Sequence, residues 1–348
     1  MAQIIVAVDA MGGDNAPGAV VEGSLMALRE MPDLKIMLCG PTDTLKSLLN
    51  EAGDLMARIE IREAPDVIGM HEAPALAIRR KTNSSMVAAL MAVKNGEAQA
   101  ALSAGSTGAL LAGGMLRVGR IKGIDRPALA PVLPGRKNPF LLIDAGANVD
   151  CQSEYLRQFG LMGSIYMEKV MGVQNPRVGL LNIGAESEKG SRLYKEAHQL
   201  MAGQNVYHFT GNIEARDVPS GDADVVVADG FDGNIILKYT EGLASSLVGM
   251  LKDEMMSSTR SKVGALLLKP ALRAFKKRMD YEEYGGAPLL GVTGAVIKAH
   301  GSSNAAAFKN AFRQAHKMVS GDVVGQIARE MAKLAALNAQ DSTEKSEE

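Results

Sequence analysis

Ile4-Ile-Val-Ala-Val-Asp-Ala-Met-Gly-Gly-Asp14 decides the fold. Its apolar first half reads as a buried strand, and the glycine pair behind Asp9 reads as a tight turn. Pro17 then opens a helix, where its missing N–H costs nothing, and Val21, Leu25 and Leu28 share one helical face. The same order returns along the chain. Apolar runs at 34–39, 58–62, 98–102, 178–183, 206–209 and 224–228 alternate with helical patterns at 44–52, 73–94 (broken near 82–84), 107–117, 153–171, 188–201 and 234–255. The runs at 128–133 and 140–143 have no helix between them, only a turn at Pro134-Gly135, so a hairpin is expected there. Runs at 289–293 and 295–300 and helices at 304–319 and 323–337 close the chain. Such an order implies an α/β fold with a doubly wound, mostly parallel sheet and right-handed crossovers. One domain over residues 1–340 is expected, with a polar, disordered tail at 341–348.

The turns that follow these runs share a style. They read Asp9-Ala-Met-Gly-Gly-Asp14, Ser103-Ala-Gly-Ser-Thr-Gly108, Asp144-Ala-Gly-Ala-Asn148, Asn182-Ile-Gly-Ala-Glu-Ser-Glu-Lys-Gly190 and Asp229-Gly-Phe-Asp-Gly-Asn234. In an open parallel sheet such turns gather at the carboxyl ends of the strands, where ligands bind. Glycine lets backbone N–H groups approach a ligand, and Asp, Asn, Ser, Thr and Lys add aimed polar contacts. One composite site for an anion is the simplest reading.

Composition narrows the classes. Of 348 residues, 47% are hydrophobic, 4% aromatic and none Trp, so the core must be aliphatic, with 20 Met as flexible filler. A net charge of −1 carries no nucleic-acid-like bias. Cys39 and Cys151 stand far apart without a CxxC pattern, which fits a reducing compartment and inert thiols. No secretory signal pattern opens the chain, and no run approaches the roughly 18–20 apolar residues of a membrane span; a soluble or peripheral protein is expected. The GxGxxG fingerprint is absent after the first run. Gly184 to Ser191 sets Lys and Gly in the wrong order for a Walker A loop. The five His residues lack metal-ligand spacing, and no Gly-x-Ser-x-Gly elbow exists. Neither cofactor nor metal is expected.

At the level of single residues two readings stay open. Lys189 and its neighbouring N–H groups suit a phosphate or an oxyanion, or Glu186 and Glu188 merely favour a helix start. Ser106 can contact a ligand or cap its helix. Asn234 can cap or point into the site. Asp9 and Asp144 either brace their loops or serve as bases, with bracing the better reading.

The quoted turns, with Gly211-Asn-Ile-Glu214, Gly285-Gly-Ala-Pro-Leu-Leu-Gly291 and His300-Gly301, resemble the acyl-ACP:phosphate acyltransferase (PlsX) family over residues 3 to 335 in order. The resemblance implies transfer of a fatty acyl group from acyl carrier protein to inorganic phosphate, giving acyl phosphate for phospholipid synthesis. It implies a fold like the phosphotransacetylases and the isocitrate and isopropylmalate dehydrogenases. It also implies a homodimer lying peripherally on the cytoplasmic face of the membrane, near a downstream glycerol-3-phosphate acyltransferase. By the same resemblance Lys189 and Asn234 form the catalytic centre. Asp9, Gly12, Gly13, Ser103, Gly105, Ser106, Thr107, Asp144, Asn148, Asn182, Gly211, Asn212, Asp229 and His300 are then the substrate-binding set. The family usually carries Asn where this chain has Ser106. The chemistry agrees with the residues: a thioester is already activated, so phosphate can attack directly and no protein nucleophile is required. A CoA-dependent phosphotransacetylase and a non-catalytic peripheral scaffold are the alternatives.

Residues 260–279 contain seven Lys or Arg and no acid. Leu268, Leu272, Phe275 and Met279 fall on one helical face, and Lys269, Arg273, Lys276, Lys277 and Arg278 lie around it. Pro270 kinks or restarts the helix. A protruding basic amphipathic helix of this kind suits an anionic bilayer or the acidic acyl carrier protein; packing on the core or a dimer interface is the competing reading.

Overall fold

A computed structural model describes residues 3–279 and 281–334. The quoted opening stretch forms strand β1 (Ile4–Asp9) and, after the glycine turn, the helix Gly18–Glu30, with Pro17 at its N-cap. The remaining strands are β2 (Leu34–Gly40), β3 (Ile59–Glu63), β4 (Ala100–Ser103), β5 (Ala128–Leu129), β6 (Val132–Leu133), β7 (Phe140–Ile143), β8 (Arg177–Asn182), β9 (His208–Glu214), β10 (Val225–Val227), β11 (Ala287–Leu290) and β12 (Ala295–Lys298).

They make two sheets. The first has the order β3-β2-β1-β4-β12-β11-β5, and the second β6-β7-β10-β8-β9. From β3 to β12, and from β7 to β9, every neighbouring pair is parallel. β11 and β6 run antiparallel to their neighbours. Alternation along β1 sends Val6 and Val8 into one apolar cluster and Ala7 into another, so both faces of the first sheet are covered. The larger cluster runs on through the helices Ser153–Lys169 and Ala305–Ser320 to β8 and β10, which joins the two sheets into one core. The Met filler is there too, in Met162, Met167 and Met318.

Four elements differ from the sequence reading. The run 128–133 is two strands, because Pro131 cannot donate to a ladder: β5 pairs with β11 in the first sheet and β6 with β7 in the second. The expected hairpin is therefore only β6–β7. The helix expected from 188 begins later, at Arg192–Ala202, leaving Lys189 in a loop. The motif Gly211 to Glu214 lies in β9, where Gly211 (φ 93°) follows an irregularity in the β8–β9 register. The basic segment is a single helix, Thr259–Met279, with Pro270 inside it. It packs beside the long helix Gly230–Met256. The tail at 341–348 and the end of the last expected helix lie outside the described residues.

Candidate active site

Strands β1, β4 and β12 end side by side, with Leu102 opposite both Val8 and Ile297, and Ser103 opposite Lys298. The loops behind them lock together. Ser103 Oγ donates to Asp9 Oδ2 at 2.6 Å and accepts from Gly105 N at 3.0 Å. Gly12 has no room for a side chain, since a Cβ would stand 2.4 Å from Asp9 Oδ2 and 2.8 Å from Gly105 N. Gly13, at φ 103°, lies against Ala104 and Gly301, and Asp14 N donates to Gly301 O at 2.8 Å. Asp9 is buried, and that burial raises its carboxyl above the ordinary range against its hydrogen bonds.

In the second sheet Asp144 organises the turn after β7. Its carboxylate accepts from the backbone N–H groups of Leu129, Gly146, Ala147 and Asn148 and from Asn148 Nδ2. Asn148 Nδ2 also donates to Pro127 O at 2.8 Å. Against this turn the helix Gly230–Met256 begins. Asp229 caps it, accepting from Asp232 N at 2.8 Å. Gly230 and Gly233 let the helix come close, because a Cβ on Gly233 would stand 1.9 Å from Asp144 O. Asn234, one residue on, rests on Gly146.

These two assemblies face each other across a cavity of about 220 Å³. Thr107 lines it from the start of the helix Thr107–Gly113 that follows β4, Ala145 and Gly146 from the turn after β7, and Asn234, Leu237, Lys238 and Glu241 from the long helix. Lys298, Ala299 and His300 line it from the end of β12. Lys238 is paired with Glu241 at 2.8 Å. His300 stands at the exposed rim, with Nδ1 2.7 Å from Ser302 Oγ. Partial desolvation, with Lys298 and Lys238 adding to it and Glu241 and Asp14 opposing it, holds its imidazole below the usual range. Lys298 is buried at the end of an apolar strand, and burial pushes its ammonium down to about 8. The walls offer amide, hydroxyl and ammonium donors beside the apolar Leu129, Pro131, Val132 and Leu237. Such a lining can hold a small anion beside an acyl chain.

Of the residues picked from the sequence, Thr107, Asn234 and His300 line this cavity. Asp9, Gly12, Gly13, Ser103 and Gly105 form the interlock beneath it. Ser106 caps the helix Thr107–Gly113, accepting from Ala109 N at 3.4 Å, and Asp144, Asn148 and Asp229 shape the turns. Lys189 is exposed in the loop after β8. Asn182 Nδ2 donates to Lys189 O at 3.1 Å, and Asn212, in β9 behind Gly211, donates to Glu186 O at 2.7 Å, so both hold that loop in shape. Tyr194 ties the following helix to the first turn of the long helix, donating to Asp232 Oδ2 at 2.7 Å. Leu268, Leu272, Arg273 and Phe275 lie away on the basic helix; the side chains of Lys276, Lys277 and Met279 lie outside the described residues. Cys39 and Cys151, both pushed up to about 12 by burial, are not activated thiols. Lys298 was missed. Its signal is a charge closing the apolar run Ala295-Val-Ile.

The model of the family described as "Fatty acid synthesis protein" matches residues 4–326. The chain belongs to this family. Curated relatives agree with the match: a phosphate acyltransferase of Clostridium botulinum (strain Loch Maree / Type A3) is 54% identical over 331 residues, 95% of this chain and 98% of that protein. One from Clostridium acetobutylicum is 52% identical over 95% of this chain and 100% of its own. Solved structures extend the likeness to fold. A phosphotransacetylase from Streptococcus pyogenes superposes with a TM-score of 0.59 at 16% identity, covering 91% of this chain and 94% of that one. The EutD phosphotransacetylase from Staphylococcus aureus gives 0.60 at 15%, with the same coverage. These likenesses agree with the mostly parallel α/β class expected from the alternation of strands and helices, whereas the single sheet expected there is two sheets here.

Proposed function

We infer that the chain is a phosphate acyltransferase, moving a fatty acyl group from acyl carrier protein to inorganic phosphate for phospholipid synthesis. The observation that carries this reading is the 54% identity to a phosphate acyltransferase over 95% of the chain. The cavity supplies what the reaction needs. A phosphate oxygen attacks the thioester carbon, the tetrahedral oxyanion collapses, the C–S bond breaks, and the phosphate proton passes to the departing thiolate. The products are acyl phosphate and free acyl carrier protein. Donors that meet the oxyanion in place of water lower this barrier, and no covalent intermediate on the protein is required. In this reading the Asn234 amide polarises the thioester carbonyl from the cavity wall. Lys189 reaches the phosphate from the neighbouring loop, and Thr107 and His300 complete the lining.

The protein works as a homodimer on the cytoplasmic face of the membrane and passes acyl phosphate to a glycerol-3-phosphate acyltransferase. Supporting the membrane part is the cleft of about 440 Å³ between the helices Gly230–Met256 and Thr259–Met279. Leu251, Met255, Leu272 and Phe275 line it, with Lys252, Lys269 and Arg273 around them. Among the described residues no helix is long and apolar enough to cross a membrane.

One assay tests the catalytic reading. The protein is mixed with a long-chain acyl thioester of acyl carrier protein, and released thiol is followed with and without phosphate. Release that saturates with phosphate is expected; none would refute the assignment, and equal use of acetyl-CoA would replace it with a short-chain phosphotransacetylase. Lys189→Ala is expected to slow turnover by about 2–4 kcal/mol of barrier.

A further inference from the structure

Lys298 ends β12 with only 8% of its surface exposed. Holding an ammonium at that depth costs free energy unless partners receive it. Two do: its Nζ donates to Ala104 O at 3.3 Å and to Ala299 O. An ammonium has three N–H groups, and these carbonyls take two. None of the ion pairs among the described residues includes Lys298. Asp9, the first anion that acts on it, is already held by Ser103 Oγ and Met11 N. One donor is therefore left on a side chain that lines the cavity with Asn234 and Thr107 and makes no close ion pair. Lys238, the other cavity cation, is exposed and tied to Glu241.

We infer that the Lys298 ammonium binds the attacking phosphate and is a catalytic residue of this reaction, an inference that rests on the phosphate-acyltransferase reading above. The two carbonyls fix the cation before phosphate arrives, so little reorganisation is needed during transfer. The third N–H then meets a phosphate oxygen, while Asn234 faces the same cavity from the helix Gly230–Met256. Burial sets the pH range of this role, because the ammonium loses its proton near pH 8 instead of above 10. Asp9 and Asp14 oppose that shift and Lys238 adds to it; Glu241 and His300 complete the charged and titratable groups around the cavity. Phosphate capture should fall as the pH rises through about 8.

The test uses the full chain, inorganic phosphate and the acyl carrier protein thioester. Lys298→Met is expected to lower kcat/KM for phosphate by roughly 10²-fold or more, with thioester binding in the absence of phosphate unchanged. Lys298→Arg should recover part of the phosphate KM and remove the fall in rate above pH 8. A Met variant within threefold of wild type for phosphate, or one that loses thioester binding equally, would overturn the inference. Should Lys298→Met fail to fold, the wild type decides. In protein labelled with ¹⁵N-lysine, the Lys298 Nζ resonance, assigned by its loss in Lys298→Arg, must shift on phosphate titration, and a resonance that stays fixed overturns the role. Wild type that releases no thiol with phosphate would sink the parent reading instead, and the resonance titration would still report on the site.

Discussion

Asp144 illustrates how a single side chain fixes a loop. Four backbone N–H groups and the Asn148 amide converge on its carboxylate, so the turn after β7 is wound around one anion. Asp144→Asn swaps one acceptor oxygen for a donor that must face those N–H groups. The expected loss is about 1–3 kcal/mol of stability, read as a lower denaturation midpoint with an unchanged slope against urea. Gly233 acts by what it lacks. A methyl group there would collide with Asp144 O at 1.9 Å, so Gly233→Ala should cost about 1–3 kcal/mol through overpacking and displace Asn234 next to it, cutting turnover along with stability. Bracing by Asp9 and Asp144 was legible in the sequence, since a carboxylate at a strand end ahead of glycine has unpaired N–H groups to receive. Capping by Ser106 was one of two readings open there. Lys298 was not legible, because only the meeting of β12 with β4 shows that its charge is buried beside Ala104.

Elements were legible wherever one period held. β1, β2 and their helix lie within a residue or two of the expected bounds, since apolar runs closed by glycine or proline leave little choice. The split of 128–133 was hidden. Both halves are equally apolar, and only pairing partners from distant parts of the chain assign them to different sheets. The start of the long helix was hidden as well: Gly230 and Gly233 look like turn residues, yet they sit inside its first turn because Asn148 O and Asp144 O press against them. Asp229 holds that start through Asp232 N. Asp229→Ala is expected to destabilise the protein by about 1 kcal/mol. Hydrogen exchange should then quicken in residues 230–236 but stay unchanged in β1 and β4, which do not depend on the cap.

At the scale of the molecule, the active cavity and the basic helix are joined by one element. The helix Gly230–Met256 carries Asn234, Leu237 and Lys238 on the cavity at its beginning, and Leu251 and Met255 in the apolar cleft near its end. A chain with a net charge of −1 overall concentrates seven cations and no acid in residues 260–279, so attraction to an anionic surface would be local to this helix pair. Leu268 and Phe275 are 54% and 51% exposed, whereas Leu272 is turned partly into the cleft. Leu272 and Phe275 both line the cleft between the two helices. In the proposed membrane reading, Leu268 and the exposed side of Phe275 would meet lipid, where burying large apolar side chains contributes about 1.5–3 kcal/mol each. Leu268→Glu/Phe275→Glu is accordingly expected to abolish flotation with anionic vesicles and to leave phosphate-dependent thiol release intact, since neither residue lines the cavity. Retained flotation would assign the stripe to protein contact instead. Flotation lost at high salt in the wild type would show that the cations, and not the apolar pair, dominate the attachment.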